Sequence, residues 1–383
     1  MKWENILNFC QTHLRSGQLL MNVYFVTDPL TTTAGSVRPA ILLAKEFRKN
    51  NCDVSIISTR VDGLVKKMLT EYGVNVKVIG SGSGLIAEFP TLDAWFRNLI
   101  KNKVLDGRNA DVIINTSSCI VSVSDVYYAQ GLMIEALKGM VPIMPVWYRM
   151  VYYLASFPLR SMETKFIRRL RESSKVFIAN SNFCASMYRQ VGIIVDKVVY
   201  PPLDCNLFKP SSSKPKEDYV LTHLGIYGKE GRFPIIKAIA DLGVQLKIFG
   251  KIYYAPKALL NHPNITFLGE IGEEELIDAY SNALYTLCAF SHEPFGYIPV
   301  ESMACGTPVL TYNRQGPSET VNEETGWLVN SDSELVSLAV KLWNEGYSKD
   351  IRKNCRKRAL SFNVTKIFAE WINVLKNVMQ EGG

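Results

Sequence analysis

Two glutamates with seven residues between them stand in the segment Ser291–Glu301, which reads SHEPFGYIPVE. An apolar run, Leu284–Ala289, precedes the segment and predicts a buried strand. Pro299 suits the first turn of a helix, because its missing N–H is not needed there. We therefore predict a strand, a loop, and a helix that carries Glu301 in its first turn and ends near Cys305.

This arrangement suits a ligand that contains both a diphosphate and a sugar. The N-terminus of the predicted helix offers unpaired N–H groups and a partial positive charge. Gly296 allows a ligand to approach the backbone closely. Glu293 and Glu301 can each accept hydrogen bonds from a vicinal diol, and both ribose and hexose rings carry such diols. A nucleoside-diphosphate sugar satisfies all of these features together.

Strands and helices alternate around this segment, which predicts an α/β chain with parallel sheets. The predicted strands of the first half are Leu19–Thr27, Asp53–Ser58, Val74–Ile79, Asp111–Asn115, Asp125–Ala129, Val176–Ala179 and Lys197–Tyr200. Those of the second half are Tyr219–Gly225, Val244–Gly250, Ile265–Leu268, Leu284–Ala289 and Pro308–Thr311. Helices are predicted at Val37–Asn50, Glu273–Ser281, Ile298–Cys305 and Val364–Met379. The Pro- and Ser-rich segment Pro201–Asp218 predicts a linker between two domains.

The charge of the chain points to an anionic partner. The formal net charge is +7, and residues 131–171 contain seven basic and two acidic residues. Such a patch favours a membrane surface, a phosphate or a nucleic acid, and the absence of a recognition motif disfavours nucleic acid. No apolar run reaches the roughly 18 residues of a membrane span. The eight cysteines are scattered without metal-site spacing, and the N-terminus lacks a signal pattern, so we expect a cytoplasmic protein.

The stretch from Glu293 to Val329 resembles the signature of the family-4 retaining glycosyltransferases. That signature consists of Glu, seven residues, Glu, a small-residue helix end, Gly-x-Pro-Val, a Gly loop with a later Glu, and Gly-x-Leu-Val. Gly316 and Glu319 match the Gly loop and the later Glu. The resemblance extends over nearly the whole chain and is most specific in this stretch. It implies the GT-B fold, in which two Rossmann-like domains face each other across a cleft.

The resemblance also implies roles for the residues of the donor loop. Glu293 would contact the transferred sugar, and Glu301 would contact the ribose. The backbone around Phe295, Gly296 and Tyr297 would hold the sugar and the phosphates, with no metal ion or other cofactor needed. Domains at residues 1–203 and 204–361 follow, with a helix at residues 362–383 that returns to the first domain.

Three further positions correspond to functional segments of the family with less specificity. Gly35, after the first strand, matches a turn that approaches the donor phosphate. The family places an Arg and a Lys after the strand that ends near Gly225. The usual Arg is missing, and spacing leaves the choice of catalytic cation open between Lys229 and Arg232. Gln130 stands where the family often has a His. Catalysis would then rest on electrostatic stabilisation of the departing diphosphate, with Glu293 at the sugar.

An aromatic segment, Val141–Pro158, is followed directly by a basic cluster, Arg160–Arg171. The pair resembles an interfacial segment beside anionic headgroups, and a helix pair inside the first domain is the alternative. The arrangement is similar to mannosyltransferases that act on lipid-linked oligosaccharides in N-glycosylation, which implies a polyprenyl-phosphate-linked glycan as acceptor and a peripheral membrane location. The predicted acceptor and membrane-side residues are Gln130, Trp147, Arg149, Arg168 and Arg169.

Some alternatives stay open at this stage. Residues 3–14 predict a helix that either packs on its own domain or rests in a membrane interface. The basic run Arg352–Arg358 predicts a solvated helix face. Two other functions share the expected fold: a sugar-nucleotide epimerase, which would need acid and base side chains in the cleft, and a non-catalytic, membrane-associated glycan-binding protein.

Overall fold

The computed structural model describes residues 21–79, 90–100, 110–141, 146–211, 214–224, 232–251 and 256–380. These residues form two compact units. The first contains the described residues up to Met133, Pro158–Pro202 and the residues from Val364 on, and the second contains Ile134–Phe157 and Leu203–Asn363. The sequence predicted a boundary after residue 203 and placed residues 134–157 in the first domain. The structure places the boundary after Pro202 and groups residues 134–157 with the second unit.

The first unit is built on a sheet that has seven parallel strands within the described part of the chain. The strands are β1 Asn22–Val26, β2 Asp53–Ser58, β3 Asn75–Val78, β4 Val112–Asn115, β5 Ser124–Ala129, β6 Ser174–Ala179 and β7 Lys197–Val198. Their order is β3-β2-β1-β4-β5-β6-β7, and each overlaps a strand predicted from the apolar runs. The sheet order reverses between β1 and β4, which is where ligands bind in sheets of this kind.

The helices in the first half of the chain connect these strands. They are α1 Arg38–Lys49, α2 Gly63–Glu71, α3 Pro90–Ile100, α4 Met133–Met140, α5 Val146–Glu172 and α6 Asn182–Gln190. A 3-10 turn at Gly35–Val37 leads into α1, and Pro39 occupies its first turn as its missing N–H allows. The helix predicted over residues 3–14 lies outside the described residues.

Helix α5 is continuous over 27 residues and includes Pro158. Residues 146–158 of the aromatic segment and the basic cluster therefore belong to one continuous helix, whereas the alternative expected a pair of helices. The last turns of α5 bury Phe166, Ile167 and Leu170, whereas its first three turns bury no residue. Within the described part of the chain, no helix combines the length and the apolar character needed to cross a bilayer.

The second unit contains a parallel sheet with six strands among the described residues. The strands are β8 Val220–His223, β9 Leu246–Phe249, β10 Ile265–Gly269, β11 Thr286–Cys288, β12 Val309–Tyr312 and β13 Gly326–Val329. Their order is β10-β9-β8-β11-β12-β13. The sequence did not predict β13 as a strand. The first residue of β13 is Gly326. A Cβ at this position would lie 2.1 Å from the carbonyl oxygen of Val309 on β12, so no larger residue fits there.

The helices of the second half cover this sheet, and one of them corrects a prediction. They are α7 Phe233–Asp241, α8 Lys257–Leu260, α9 Glu273–Asn282, α10 Tyr297–Ala304, α11 Pro317–Thr320, α12 Asp332–Glu345 and α13 Asp350–Ala359. The basic run on α13 is not simply a solvated face. Arg356 donates to the carbonyl oxygen of Ala304 at the end of α10 (2.9 Å). Arg358 donates to Thr320 O at the end of α11 (3.1 Å). These arginines close the ends of two helices that adjoin the predicted donor loop.

The last helix, α14 Val364–Gln380, packs on the first unit. The ring of Phe368 meets Phe47 of α1 edge to face at 4.8 Å, and Trp371 meets Tyr128 of β5 at 5.2 Å. The prediction that the C-terminal helix returns to the first domain is confirmed.

Replacing Trp371 with alanine should destabilise the first unit strongly. The side chain is fully buried, and a buried Trp→Ala change costs about 3–5 kcal/mol. Denaturant unfolding followed by circular dichroism would measure the loss. Lys366→Ala on the same helix, at an exposed position, should change the free energy of unfolding by less than about 0.5 kcal/mol. Equal effects of the two changes would contradict the packing described for α14.

Candidate functional site

The candidate site lies where the strand order of the second sheet reverses, between β8 and β11. Ligands of such sheets bind beyond the carboxyl ends of the strands at this point. The segment Ser291–Glu301 begins shortly after β11 and supplies α10. The loop after β8, residues 225–231, contains Lys229 and lies outside the described residues. The predicted donor segment therefore lies at the carboxyl ends of β8 and β11, where sheets of this kind bind ligands.

Glu293 folds back toward the beginning of α10. Its Oε1 accepts hydrogen bonds from the backbone N–H groups of Gly296 at 3.1 Å and Phe295 at 3.4 Å. Gly296 takes a left-handed conformation with φ +92°, which a side chain would strain, and caps the helix. The carboxylate therefore stabilises the loop and the positive end of the helix.

Helix α10 begins earlier than predicted. It starts at Tyr297, so Pro299 is its third residue and Glu301 its fifth. Glu301 therefore lies one residue further into the helix than predicted, just past the first turn. Glu301 is only 4% exposed, and its Oε2 accepts a hydrogen bond of 2.9 Å from the hydroxyl of Tyr280 on α9. The two glutamates thus occupy different environments: one at the loop surface and one in the packed interior.

The aromatic residues of the loop also differ from each other. Phe295 is 3% exposed, and its ring packs against Phe362 at 5.8 Å and against Tyr297 at 5.4 Å. Its side chain anchors the loop to the core, so only its backbone is available for a ligand. Tyr297 is partly buried at the first position of α10.

A second loop holds the donor loop in place. The side-chain oxygen of Gln315 accepts from Glu293 N at 2.8 Å, and its nitrogen donates to Ser291 O at 2.9 Å. The N–H of Gly316 donates to Glu293 O at 3.1 Å. A Cβ at Gly316 would lie 2.2 Å from the carbonyl oxygen of Pro294, so no larger residue fits. Sequence reasoning matched Gly316 to a motif but missed Gln315, for which its position beside that glycine was the one available signal.

Arg232, one of the two candidate cations, is committed to an ion pair. Its Nη1 and Nη2 donate to the two carboxylate oxygens of Asp332 at 2.7 and 2.8 Å. The hydroxyl of Tyr312 donates to the same carboxylate at 2.7 Å. Partial burial acts to raise the pKa of Asp332, but the hydrogen bonds from Tyr312 and Arg232 lower it on balance. A bidentate pair of this kind fixes the guanidinium in place.

The Gly35 turn follows β1 at the reversal point of the first sheet. Gly35 has φ +66°, and a Cβ added there would meet no atom within 4 Å. Gln130 donates from Nε2 to Ser36 O at 2.8 Å and to Thr116 O at 3.0 Å. Gln130 thus links the Gly35 turn to Thr116, the residue after β4, by hydrogen bonds. This structural role does not require an acid or a base.

Asp28, which sequence reasoning missed, also holds the Gly35 turn through a hydrogen bond from Ser36. Its carboxylate accepts from the Ser117 hydroxyl at 2.8 Å, from the Ser118 N–H at 2.9 Å and from the Ser36 hydroxyl at 3.2 Å. Burial raises the pKa of Asp28, and the hydrogen bonds from Ser117 and Ser118 oppose the rise. The only sequence signal was a polar Asp-Pro pair at the end of a strand.

The other four predicted acceptor and membrane-side residues all lie on α5. Trp147 is 66% exposed, and Arg149 and Arg168 are also exposed, whereas Arg169 is partly buried. Helix α4 contacts the donor loop: a Cβ at Gly139 would lie 2.8 Å from the Cβ of His292. Gly139, near the end of α4, therefore lies beside His292, the residue that precedes Glu293.

The fold is that of the GT-B glycosyltransferases, with two Rossmann-like units of parallel sheet. The chain is similar to Anabaena Alr3699/HepE in complex with UDP, with a TM-score of 0.68, 17% identity, and coverage of 93% of this chain and 100% of that one. It is also similar to WaaG, a glycosyltransferase involved in lipopolysaccharide biosynthesis, with a TM-score of 0.66, 14% identity, and coverage of 92% and 99%. At these identities the likeness establishes the fold.

Residues 206–361 match the family described as Glycosyl transferases group 1. The capsular polysaccharide biosynthesis glycosyltransferase CapM of Staphylococcus aureus is 25% identical over 86% of this chain and 91% of its own length.

Other relatives match over shorter segments. The alpha-1,3/1,6-mannosyltransferase ALG2 of Saccharomyces cerevisiae is 33% identical over 29% of this chain and 20% of its own length. An uncharacterized glycosyltransferase of Methanocaldococcus jannaschii is 27% identical over 31% of this chain and 32% of its own length. The chain thus spans a third or less of these two relatives.

Replacing Gly316 with alanine should damage the donor loop. The added Cβ would collide with the backbone of Pro294 and Phe295, and such overpacking costs about 1–3 kcal/mol or more. We expect a lower melting temperature and a loss of nucleotide affinity, measured by thermal unfolding with and without UDP or GDP.

Gly63→Ala is the control for this change, because a Cβ there meets no atom within 4 Å. It should leave both properties unchanged. Wild-type stability and affinity in Gly316→Ala would show that the two loops do not need their close contact.

Proposed function

We propose that this chain transfers a hexose from a nucleoside-diphosphate sugar to a glycan acceptor, with retention of the anomeric configuration and without a metal ion. The observation that carries the proposal is the position of Glu293. Its carboxylate lies at the N-terminus of α10, beyond the carboxyl end of β11, at the reversal point of the second sheet. A diphosphate suits the helix end, and a sugar beside it would meet the carboxylate.

Two comparisons support the donor class. HepE of Anabaena has been crystallised with UDP-glucose and with UDP and glucose. ALG2 is named a mannosyltransferase, which favours mannose as the hexose. We propose a hexose donor of this general kind and assign the sugar to the side of Glu293 and the ribose to the side of Glu301.

In the proposed reaction, the bond between the anomeric carbon and the phosphate oxygen breaks while the acceptor hydroxyl oxygen bonds to the same carbon on the same face. The departing phosphate oxygen takes the proton of the hydroxyl. Negative charge grows on the diphosphate, and the N-terminal end of α10 near Gly296 stabilises it together with a basic side chain. The pairing of Arg232 with Asp332 favours Lys229 as that cation.

The acceptor is proposed to be a polyprenyl-phosphate-linked glycan at the cytoplasmic face of a membrane, as in N-glycosylation. The support is one exposed face of α5. Met150, Leu154 and Phe157 follow helical spacing and are 61%, 78% and 83% exposed. On the same face, Lys165 and Arg168 continue the row and are exposed. An apolar half followed by a cationic half matches an interface between acyl chains and anionic headgroups.

Replacing Glu293 with glutamine should slow transfer strongly and preserve the fold. The amide oxygen can still accept from the N–H groups of Phe295 and Gly296, but the charge beside the sugar is gone. We expect kcat/KM to fall by about a hundredfold or more, as for loss of a group that stabilises the transition state. The assay would follow UDP or GDP release with a glycan acceptor and with EDTA present.

Glu323→Ala, at an exposed position of the same unit, is the control and should keep wild-type rates. Wild-type rates in Glu293→Gln would remove the assignment of the site. Loss of activity on addition of EDTA would contradict the metal-independent part. Product formed without an acceptor would favour an epimerase, and nucleotide binding with no turnover would favour the non-catalytic reading.

Serine substitutions at Met150, Leu154 and Phe157 together should release the protein from anionic vesicles. Flotation with vesicles of phosphatidylserine and phosphatidylcholine would measure binding. Lys165→Ala and Arg168→Ala should each weaken binding about fivefold at low salt, since a basic residue near such a surface contributes about 1 kcal/mol. Leu64→Ser, 80% exposed on α2, is the control for loss of exposed apolar surface. Failure of the unchanged protein to float would contradict the membrane proposal.

A further inference from the structure

Tyr280 and Glu301 form a hydrogen-bonded pair inside the second unit. The hydroxyl of Tyr280, near the end of α9, donates to Oε2 of Glu301 on α10 at 2.9 Å. Tyr280 is fully buried, and Glu301 is 4% exposed. A buried carboxylate needs hydrogen-bond partners, and a neutral hydroxyl supplies one here.

We propose that Tyr280 is a positioning residue that holds the Glu301 carboxylate in the orientation that accepts hydrogen bonds from the ribose diol of the donor. This inference rests on the proposed function, because it needs a nucleoside diphosphate at the site. Tyr280 itself does not touch the ligand. It acts through Glu301.

The chemistry of the pair favours a positioning role over simple space filling. Burial and the negative charge of Glu301 raise the pKa of Tyr280 well above its usual range, so the hydroxyl keeps its proton and remains a donor. A neutral donor orients the carboxylate and leaves its charge in place, whereas a lysine or arginine would offset that charge. Each carboxylate oxygen has two acceptor sites, so the bond from Tyr280 still leaves capacity for a diol.

Hydrogen bonds from Thr307 and Arg352 hold the end of α9, which carries Tyr280. The Thr307 hydroxyl donates to Tyr280 O at 2.6 Å. Arg352 donates from Nη2 to Thr307 Oγ1 at 2.9 Å and to Ser281 O at 2.6 Å. The end of α9 is thereby locked, and Thr307 of the Gly-x-Pro-Val motif gains a physical role.

Helix α10 is held on its other side. The Ser302 hydroxyl donates to Thr286 Oγ1 on β11 at 2.7 Å. The same hydroxyl lies within hydrogen-bond distance of Thr307 O, at 2.9 Å. Because Ser302 follows Glu301 directly, these contacts limit rotation of the helix about its axis. The carboxylate of Glu301 therefore has a defined direction relative to the strand ends.

The test compares ribonucleotides with nucleotides that lack the diol. Binding of UDP, GDP and ADP, and of their 2′,3′-dideoxy forms, would be measured by calorimetry on the unchanged chain and on Tyr280→Phe. We expect Tyr280→Phe to weaken the best ribonucleotide about tenfold, as for a hydrogen bond to a charged group. Its effect on the matching dideoxy form should be less than about twofold. The KM for the donor sugar should rise by the same factor as the ribonucleotide Kd, with kcat nearly unchanged.

Tyr285→Phe is the matched control. Tyr285 is equally buried in the same unit, and its hydroxyl donates to Ala339 O at 2.7 Å, away from both glutamates. It should affect the ribo and dideoxy forms equally. Glu301→Gln provides a second measurement, because it should show the same selective loss. Adding Tyr280→Phe to Glu301→Gln should bring no further selective loss, since Tyr280 acts through Glu301.

The outcomes separate the two proposals. Equal losses of both nucleotide forms in Tyr280→Phe would overturn the positioning role and leave the proposed function standing. Equal losses in Glu301→Gln would overturn the positioning role and also the assignment of the ribose to Glu301, but would leave the proposed transfer reaction standing. Failure of the unchanged chain to bind any of the three ribonucleotides would overturn the proposed function, and this inference with it.

Discussion

The candidate site depends on the close contact between two loops of the second unit. Gly316 brings its backbone against Pro294 and Phe295, where no Cβ would fit, and Gln315 hydrogen-bonds Ser291 and Glu293 from both ends of its amide. The loop after β11 is irregular and would otherwise have few partners for its backbone groups. This contact gives the loop a defined shape, and the position of the Glu293 carboxylate follows from it.

A second constraint is the packing of α10. The helix carries Glu301 inward to Tyr280, and its end is closed by Arg356 of α13. The basic run on α13 therefore supports the site rather than contributing only to the positive surface. In the first unit, Asp28 and Gln130 brace the Gly35 turn in a comparable way. In both units, side-chain hydrogen bonds hold the loops at the point where the strand order reverses.

Much of this architecture could be predicted from the sequence. Apolar runs such as Leu284–Ala289, which contains β11, predicted the strands, since buried parallel strands are mostly apolar segments. The candidate donor loop was predicted because Glu293, Glu301 and Gly296, at their spacing, suit a nucleoside-diphosphate sugar. Gln315, Asp28 and Tyr280 were missed, because their roles arise from contacts between residues distant in sequence. The pairing of Arg232 with Asp332, one hundred residues away, was hidden for the same reason.

The central claim is that Ser291–Glu301 binds the donor. The most direct measurement is a crystal structure of the chain with UDP-glucose or GDP-mannose. We expect such a structure to show the diphosphate within hydrogen-bond distance of the backbone N–H groups at the start of α10, the hexose against Glu293 and the ribose hydroxyls against Glu301, as the proposed donor site requires. A nucleotide sugar bound elsewhere, or with its hexose and ribose far from both glutamates, would contradict it.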